Sequence, residues 1–238
     1  MKTVLHKAST RGHAGHGWLD SYHTFSFAGY YDPERIHFGA LRVLNDDSVA
    51  AGQGFDTHPH DNMEIVSIPL YGDIEHKDSM GNRTVIREGD VQVMSAGTGV
   101  FHSEYNRNKD KEVKFLQIWI FPDRKNVSPR YDQISLAGME KENSFYQILS
   151  PNPDDAGVWI YQQAWFNMGK FTEDTNLTYQ MKKNSDGLYI LVLDGKAKVA
   201  DRQLENRDGF GIWETSHINF EIEKGTRLLL MEVPMVKD

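Results

Sequence analysis

The chain has 238 residues, no cysteine, and 34 acidic against 26 basic side chains, for a formal net charge of -8. Without cysteine there is no disulfide framework, thiolate metal site or cysteine nucleophile, and so acidic a chain, with no basic cluster, does not suit phosphate neutralisation, so nucleic-acid contact is not expected. The longest apolar run, Leu188 to Leu193, falls far short of the ~20 residues that span a bilayer. With no apolar stretch in the N-terminal MKTVLHKASTRGH, a soluble, cytoplasmic protein is expected.

In chain order the predicted elements are β. Phe38–Leu44, Met63–Ile68, Val113–Phe121, Leu188–Leu193 and Arg227–Val233 are short, rich in β-branched and aromatic residues, and bounded by Gly, Pro, Asn or Asp. No dozen-residue stretch carries a 3.6-residue apolar period with caps, so a sandwich or barrel is expected. Between Pro122 and Pro153 the chain turns polar and Pro/Asn/Ser-rich, which marks a connection between two units. A weak internal repeat agrees with two units: a strand and a Gly turn at Gly72, then Arg87-Glu-Gly-Asp; and again a strand and a turn at Gly195, then Arg207-Asp-Gly-Phe.

Nine of the ten histidines lie within the first 102 residues. His58-Pro-His60 and His102-Ser-Glu104 each hold two ligand-type side chains two residues apart, a spacing that puts both on one face of a strand. If the two strands are neighbours in a barrel, the four groups converge on its interior. Three neutral imidazoles and a carboxylate suit one divalent transition-metal ion with positions left for substrate or water. Iron is expected first, with Mn, Ni, Co, Cu or Zn compatible. Glu64, four residues after His60, is a second candidate carboxylate, and spacing alone leaves the choice open. A lone histidine is usually structural, which is the reading for His6, His37, His76 and His217. His13, His16 and His23, beside Trp18 and Phe25 in a Gly-rich segment, are expected to make hydrogen bonds or line a pocket edge. If Glu64 is not a ligand, it could hold a ligand imidazole from behind.

The spacing of Gly52, His58, His60, Glu64 and Gly72, followed by Gly89, Gly97, His102 and Asn106, resembles the two-part cupin signature. It departs from that signature in having seven residues between Glu64 and Gly72, Ser95 where a proline is usual, and four residues between Gly97 and His102. With Arg11-Gly-His-Ala-Gly-His-Gly-Trp-Leu-Asp20, Thr24–Ala28, Tyr30–Pro33 and Met94–Gly99, these residues resemble the pirin family, in particular its bacterial branch with quercetin 2,3-dioxygenase activity. The resemblance implies an all-β bicupin of two tandem cupin barrels of the jelly-roll (double-stranded β-helix) type. It assigns residues 1–130 to a metal-binding barrel and 131–238 to a barrel without ligands. It favours His58, His60, His102 and Glu104 as the metal ligands. The implied reaction opens the heterocycle of a quercetin-like flavonol with O2, releasing carbon monoxide and a depside, with Glu104 able to take the substrate's hydroxyl proton. Phe25, Phe27, Phe55 and Phe101 are candidates to stack on such a planar substrate. Alternatives are a metal-dependent partner-binding protein and a different cupin reaction. Aligning Gly195 with Gly72 puts Met181 and Lys183 at the positions of His58 and His60, so the second barrel is expected to lack metal. Nothing in the chain calls for an oligomer, and a monomer is expected.

Overall fold

The computed structural model describes residues 1–235. Apart from a 3-10 turn at Ala8–Thr10, the regular elements among these residues are strands, arranged in four sheets. In the first barrel a seven-stranded sheet runs in the order Arg130–Ser135, Asp90–Ser95, Glu64–Tyr71, Val113–Ile120, Leu41–Val49, Leu19–His23 and Gly12–Gly15. Its four-stranded partner sheet orders Gly54–His60, Val100–Asn106, Ile74–Asp78 and Arg83–Ile86. The second barrel repeats this arrangement of a seven-stranded and a four-stranded sheet. The chain is the all-β bicupin that the family resemblance implied.

The central strands explain why the sequence shows unbroken apolar runs where alternation might be expected. Asp186–Asp194 is buried on both faces: Leu188, Ile190 and Val192 fill the second barrel, while Tyr189, Leu191 and Leu193 pack between the barrels. Val113–Ile120 likewise turns Leu116, Ile118 and Ile120 to the same inter-barrel core, leaving Phe115, Gln117 and Trp119 on its other face.

Two sheets are completed from across the chain. Lys2–His6 pairs with Gly209–Trp213 in the second barrel's sheet, covering an edge that would otherwise stand open. Arg130–Ser135 pairs with Asp90–Ser95 in the first barrel's sheet. A cut at 130/131 therefore divides a strand and leaves Lys2–His6 in the opposite half. The Pro122–Pro153 segment is not a free linker, since it contributes Arg130–Ser135 to one barrel and Phe145–Ser150 to the other.

The internal repeat is present but offset by two residues from the sequence alignment. The Asp90 carboxylate accepts from the Arg87 amide, and that of Asp208 from the Glu205 amide, so Asp90 corresponds to Asp208 and Gly89 to Arg207. Both of those turn residues have positive φ. The offset follows from a tighter hairpin in the second barrel, where Ala200 and Asp201 both take positive φ, as a two-residue turn requires. In the ladders, Ile74 pairs Asn106 and His76 pairs Glu104, whereas Ala197 pairs Ile222 and Val199 pairs Phe220. Tyr179, opposite Ile218, corresponds to His58, opposite His102, and Met181 to His60. The expectation of Met181 and Lys183 at these places is corrected: Gly195 follows Tyr179 by 16 residues where Gly72 follows His58 by 14, because the turn entering Asp186–Asp194 is longer than the one entering Glu64–Tyr71. Val199, Ile218 and Phe220 are buried in the apolar interior of the second barrel, at the positions of His76, His102 and Glu104.

Candidate metal centre

The histidine strands are neighbours. Gly54–His60 runs antiparallel to Val100–Asn106 with His102 opposite His58 and Val100 opposite His60, and a bulge between His102 and Glu104. The three imidazoles face one another, with ring centroids 4.4 Å apart for His58 and His102, and 4.9 Å for each of the other two pairs. Their nearest nitrogens lie within 4.8 Å of one another. Nδ1 of His58 sits 2.7 Å from the Asp56 carbonyl oxygen. A carbonyl only accepts, so that nitrogen carries the proton and Nε2 keeps its lone pair. His102 is 2 % exposed, and neither of its ring nitrogens has a hydrogen-bond partner. An imidazole buried with both nitrogens unpaired is costly by itself, and the donor set around it fits a divalent cation. Burial, then the neighbouring imidazoles of His102 and His58, lower the His60 pKa to about 4. Burial, then His58 and His76, lower that of His102 to about 3. Both rings are neutral at pH 7 and can donate lone pairs.

Glu104 is buried at the side of this group. Its Oε1 accepts from the Ser67 hydroxyl (2.9 Å) and its Oε2 from the Gln117 amide (2.8 Å). It does not fall into one tight set with His58 and His60: within 4.8 Å it is grouped with His102 and His76. His102 is therefore common to two overlapping trios. His76, read from the sequence as structural, is fully buried and placed opposite Glu104 in the ladder. Its Nε2 lies 3.2 Å from an Asp78 oxygen, while its Nδ1 is buried without a partner. A carboxylate behind an imidazole is the usual device for orienting a metal ligand. The signal in the sequence was His76-Lys-Asp78, an i, i+2 pair on a strand after the Gly72 turn.

Glu64 faces the other way. The strand holding His60 ends there, Asn62 takes φ +45 in the turn, and Glu64 opens the next strand. Strand alternation then puts it on the face of Val66 and Ile68, which belong to the inter-barrel core. Its Oε2 accepts from Ser95 at 2.7 Å. Burial raises its pKa to about 7, against the pull of Ser95, the Tyr161 backbone and Arg130. It neither joins the histidines nor orients one from behind.

A cleft opens above the histidines, with His58, His60 and His102 in its lining. Phe27, Phe55 and Trp119 line it, with Trp119 edge-on to His60 at 4.8 Å. Of the other stacking candidates, Phe25 is buried in the inter-barrel core against Tyr189 and Phe101 is 55 % exposed. Phe101 alternates with His102 along one strand, so it points away from the cleft. Trp119 was not among the sequence candidates. His16 and His23 line the cleft, as expected of that segment, whereas His13 pairs with Asp20 on the surface. His6 bonds the Tyr189 hydroxyl at 2.8 Å and His37 the Gly39 carbonyl at 2.9 Å. Both are structural. Burial, with Asp46 and Glu104 adding to it and a Ser21 hydrogen bond opposing, raises the pKa of Asp47 in the cleft wall to about 7.

The comparisons with known proteins agree with this architecture. The pirin family model matches residues 4–120, and that of the quercetinase C-terminal cupin domain matches residues 147–233. A protein of Escherichia coli named quercetin 2,3-dioxygenase is 40 % identical over 98 % of this chain and 99 % of its own length. A pirin-like protein of Caulobacter vibrioides is 36 % identical over 93 % of this chain and 95 % of its own. The crystal structure of the bacterial pirin YhhW of Escherichia coli, in complex with nickel(II), superimposes with a TM-score of 0.93 at 39 % identity, over 99 % of this chain and 100 % of that one. On full-length likeness of sequence and of fold, this chain belongs to the pirin family.

Proposed function

We propose that the protein is a metal-dependent dioxygenase that opens the heterocycle of quercetin-like flavonols, with one divalent ion held by His58, His60, His102 and Glu104. The observation that carries this reading is His102, buried with two unpaired nitrogens and facing His58 and His60 at the base of an aromatic-lined cleft. Relatives named quercetin 2,3-dioxygenase, matching almost the full length of the chain, support the substrate class, and the nickel complex of a family member supports a divalent metal. A bound ion would supply a Lewis acid that lowers the pKa of the flavonol's 3-hydroxyl. Glu104 accepts the released proton. The hydrogen bonds from Ser67 and Gln117 fix its position, and each of its oxygens keeps a further lone pair for that purpose. Phe27, Phe55 and Trp119 hold the planar rings and exclude water from the reacting end. Both atoms of O2 enter the product, C3 leaves as carbon monoxide, and the depside remains, so the substrate supplies all the electrons.

The test is anaerobic loading with Fe(II), Mn(II) or Ni(II), followed by quercetin and oxygen, with oxygen uptake and carbon monoxide measured together. Stoichiometric uptake and release are expected. Metal-replete protein that consumes no oxygen with quercetin refutes the reaction.

A further inference from the structure

The inner face of the first barrel's large sheet carries more polar side chains than the metal site uses. His23 pairs Asn45, Asn45 pairs Gln117, Gln117 pairs Ser67, and Ser67 pairs Gln92, so one row of five polar residues crosses five adjacent strands. In the neighbouring row Ser21 pairs Asp47 and its hydroxyl donates to the Asp47 carboxylate. All seven are under a tenth exposed. Ser67 and Gln117 hold Glu104, but His23, Asn45 and Asp47 touch none of the four ligands through a hydrogen bond, and they line the cleft.

Their hydrogen-bonding capacity is unmet. Asn45 Oδ1, His23 Nδ1 and Gln117 Oε1 are buried without partners. The Gln117 amide cannot be turned to relieve this, because Nε2 must face the Glu104 carboxylate, which only accepts. Its carbonyl oxygen is therefore aimed elsewhere. Native interiors rarely leave such atoms unpaired, and here they are gathered on one wall. The wall offers the Gln117 carbonyl, the Asp47 carboxyl and the Asn45 amide, beside the unpaired N–H of Trp119. Such a mixed wall suits ligand hydroxyl groups, which both donate and accept. Strands lie about 4.8 Å apart, so the row from Gln117 to His23 extends about 10 Å away from Glu104, comparable with the span of a three-ring flavonol.

We propose that Asn45, with His23, Asp47 and the Gln117 carbonyl, forms a specificity subsite for the hydroxyl groups on the part of the substrate remote from the metal. The protein thereby selects polyhydroxylated planar aromatics over ones with a bare distal ring. This rests on the reading of the cleft as a flavonol site and names the feature of the flavonol that the protein reads.

The test uses the nickel-loaded protein without oxygen. Binding of quercetin is compared with that of 3,5,7-trihydroxyflavone, which keeps the 3-hydroxyl but lacks the distal-ring hydroxyls, by calorimetry in the wild type, Asn45→Leu and Asn45→Asp. The wild type is expected to prefer quercetin by about tenfold or more, the leucine variant by less than about threefold, and the aspartate variant, which keeps an acceptor, to retain most of the preference. The nickel stoichiometry of Asn45→Leu stays unchanged, and its affinity for trihydroxyflavone falls by less than its affinity for quercetin. Its melting temperature equals or exceeds that of the wild type, because an apolar isostere removes an unpaired polar group. A preference that survives Asn45→Leu, an equal loss for both ligands, no binding of either, or a clearly lower melting temperature each overturns the subsite. Wall-dependent binding of quercetin with no oxygen consumption would instead refute the dioxygenase reaction and leave the subsite standing.

Discussion

Glu64 gives the sharpest physical test of how the chain distributes its two conspicuous carboxylates. It is 1 % exposed and faces the inter-barrel core rather than the histidines, and its pKa is raised from 4.5 to about 7, first by burial. The folded state therefore holds a proton that the unfolded state has released between these two values. Stability from this group is full below pH 4.5, falls as pH rises, and levels off above pH 7. At about 1.4 kcal/mol per pH decade, the wild type loses about 3 kcal/mol across that window. Glu64→Gln keeps the shape and an acceptor for Ser95 but cannot ionise. Urea unfolding of metal-free wild type and variant from pH 4 to pH 9 should give curves that coincide at the acid end and separate progressively. The variant gains about 3 kcal/mol above pH 7. Taking the difference cancels other titrating groups such as Asp47. A flat difference, or an advantage confined to pH below 4.5, refutes the account of Glu64 as a buried carboxyl outside the metal site. Elemental analysis supplies the complement: Glu64→Gln should retain metal, and loss there would return it to the ligand set.

Further outcomes follow from particular contacts. His102→Ala, which removes the imidazole shared by both trios, should abolish bound metal in elemental analysis, whereas Phe101→Ala, on the opposite face, should not. His76→Gln should weaken metal binding by about 10- to 100-fold in competition with a chelator, since it removes an imidazole packed against His102 and grouped with it and Glu104. A Cβ at Gly54 would stand 2.3 Å from the Glu104 carbonyl oxygen and 2.5 Å from Tyr105 Cα. Gly54→Ala should therefore push the two ligand strands apart, lowering both metal occupancy and melting temperature. Deleting residues 1–7 removes the edge strand paired with Gly209–Trp213 and the buried His6–Tyr189 bond. It should cost several kcal/mol in urea unfolding, on the order of one lost edge strand with its buried side chains, and a change under about 1 kcal/mol would refute that role.

Much of the site was legible because strand geometry is simple. Two i, i+2 pairs in neighbouring strands suffice to bring His58, His60 and His102 together, and the unbroken apolar runs announced sheets buried on both faces. What escaped the sequence depends on register between strands distant in the chain. His76 belongs to the site only because it stands opposite Glu104, and His23, Asn45 and Gln117 form a row only because two strand pairings align them. The two-residue error in the second barrel has a similar origin. A glycine marks a turn but does not fix how many residues the chain uses on either side of it: Gly195 follows Tyr179 by 16 residues where Gly72 follows His58 by 14, and beyond it Arg207 takes the positive φ that Gly89 takes in the first barrel. The exchanged strand Lys2–His6 carries no local signal at all, since its partner lies some 200 residues away.

The two barrels stand in an asymmetric physical relationship. The second is filled by one continuous apolar cluster. The first holds, among the described residues, two small clusters, around Ile74 and Phe115 and around Ile65 and Met94. A barrel whose interior is given to imidazoles, amides and carboxyls forgoes much of the burial that stabilises a β fold, at about 25 cal/mol per Å² of apolar surface. The compensation lies on the back of the same sheet. There Val66, Ile68, Leu116, Ile118 and Ile120 join Leu191, Leu193, Leu229 and Met231 of the second barrel in one buried core. Every strand that points a polar side chain into the cleft from the centre of this sheet thus points an apolar one into that core. The second barrel supports the site by burying the reverse face of its largest wall, which allows the inner face to be chosen for chemistry rather than for packing.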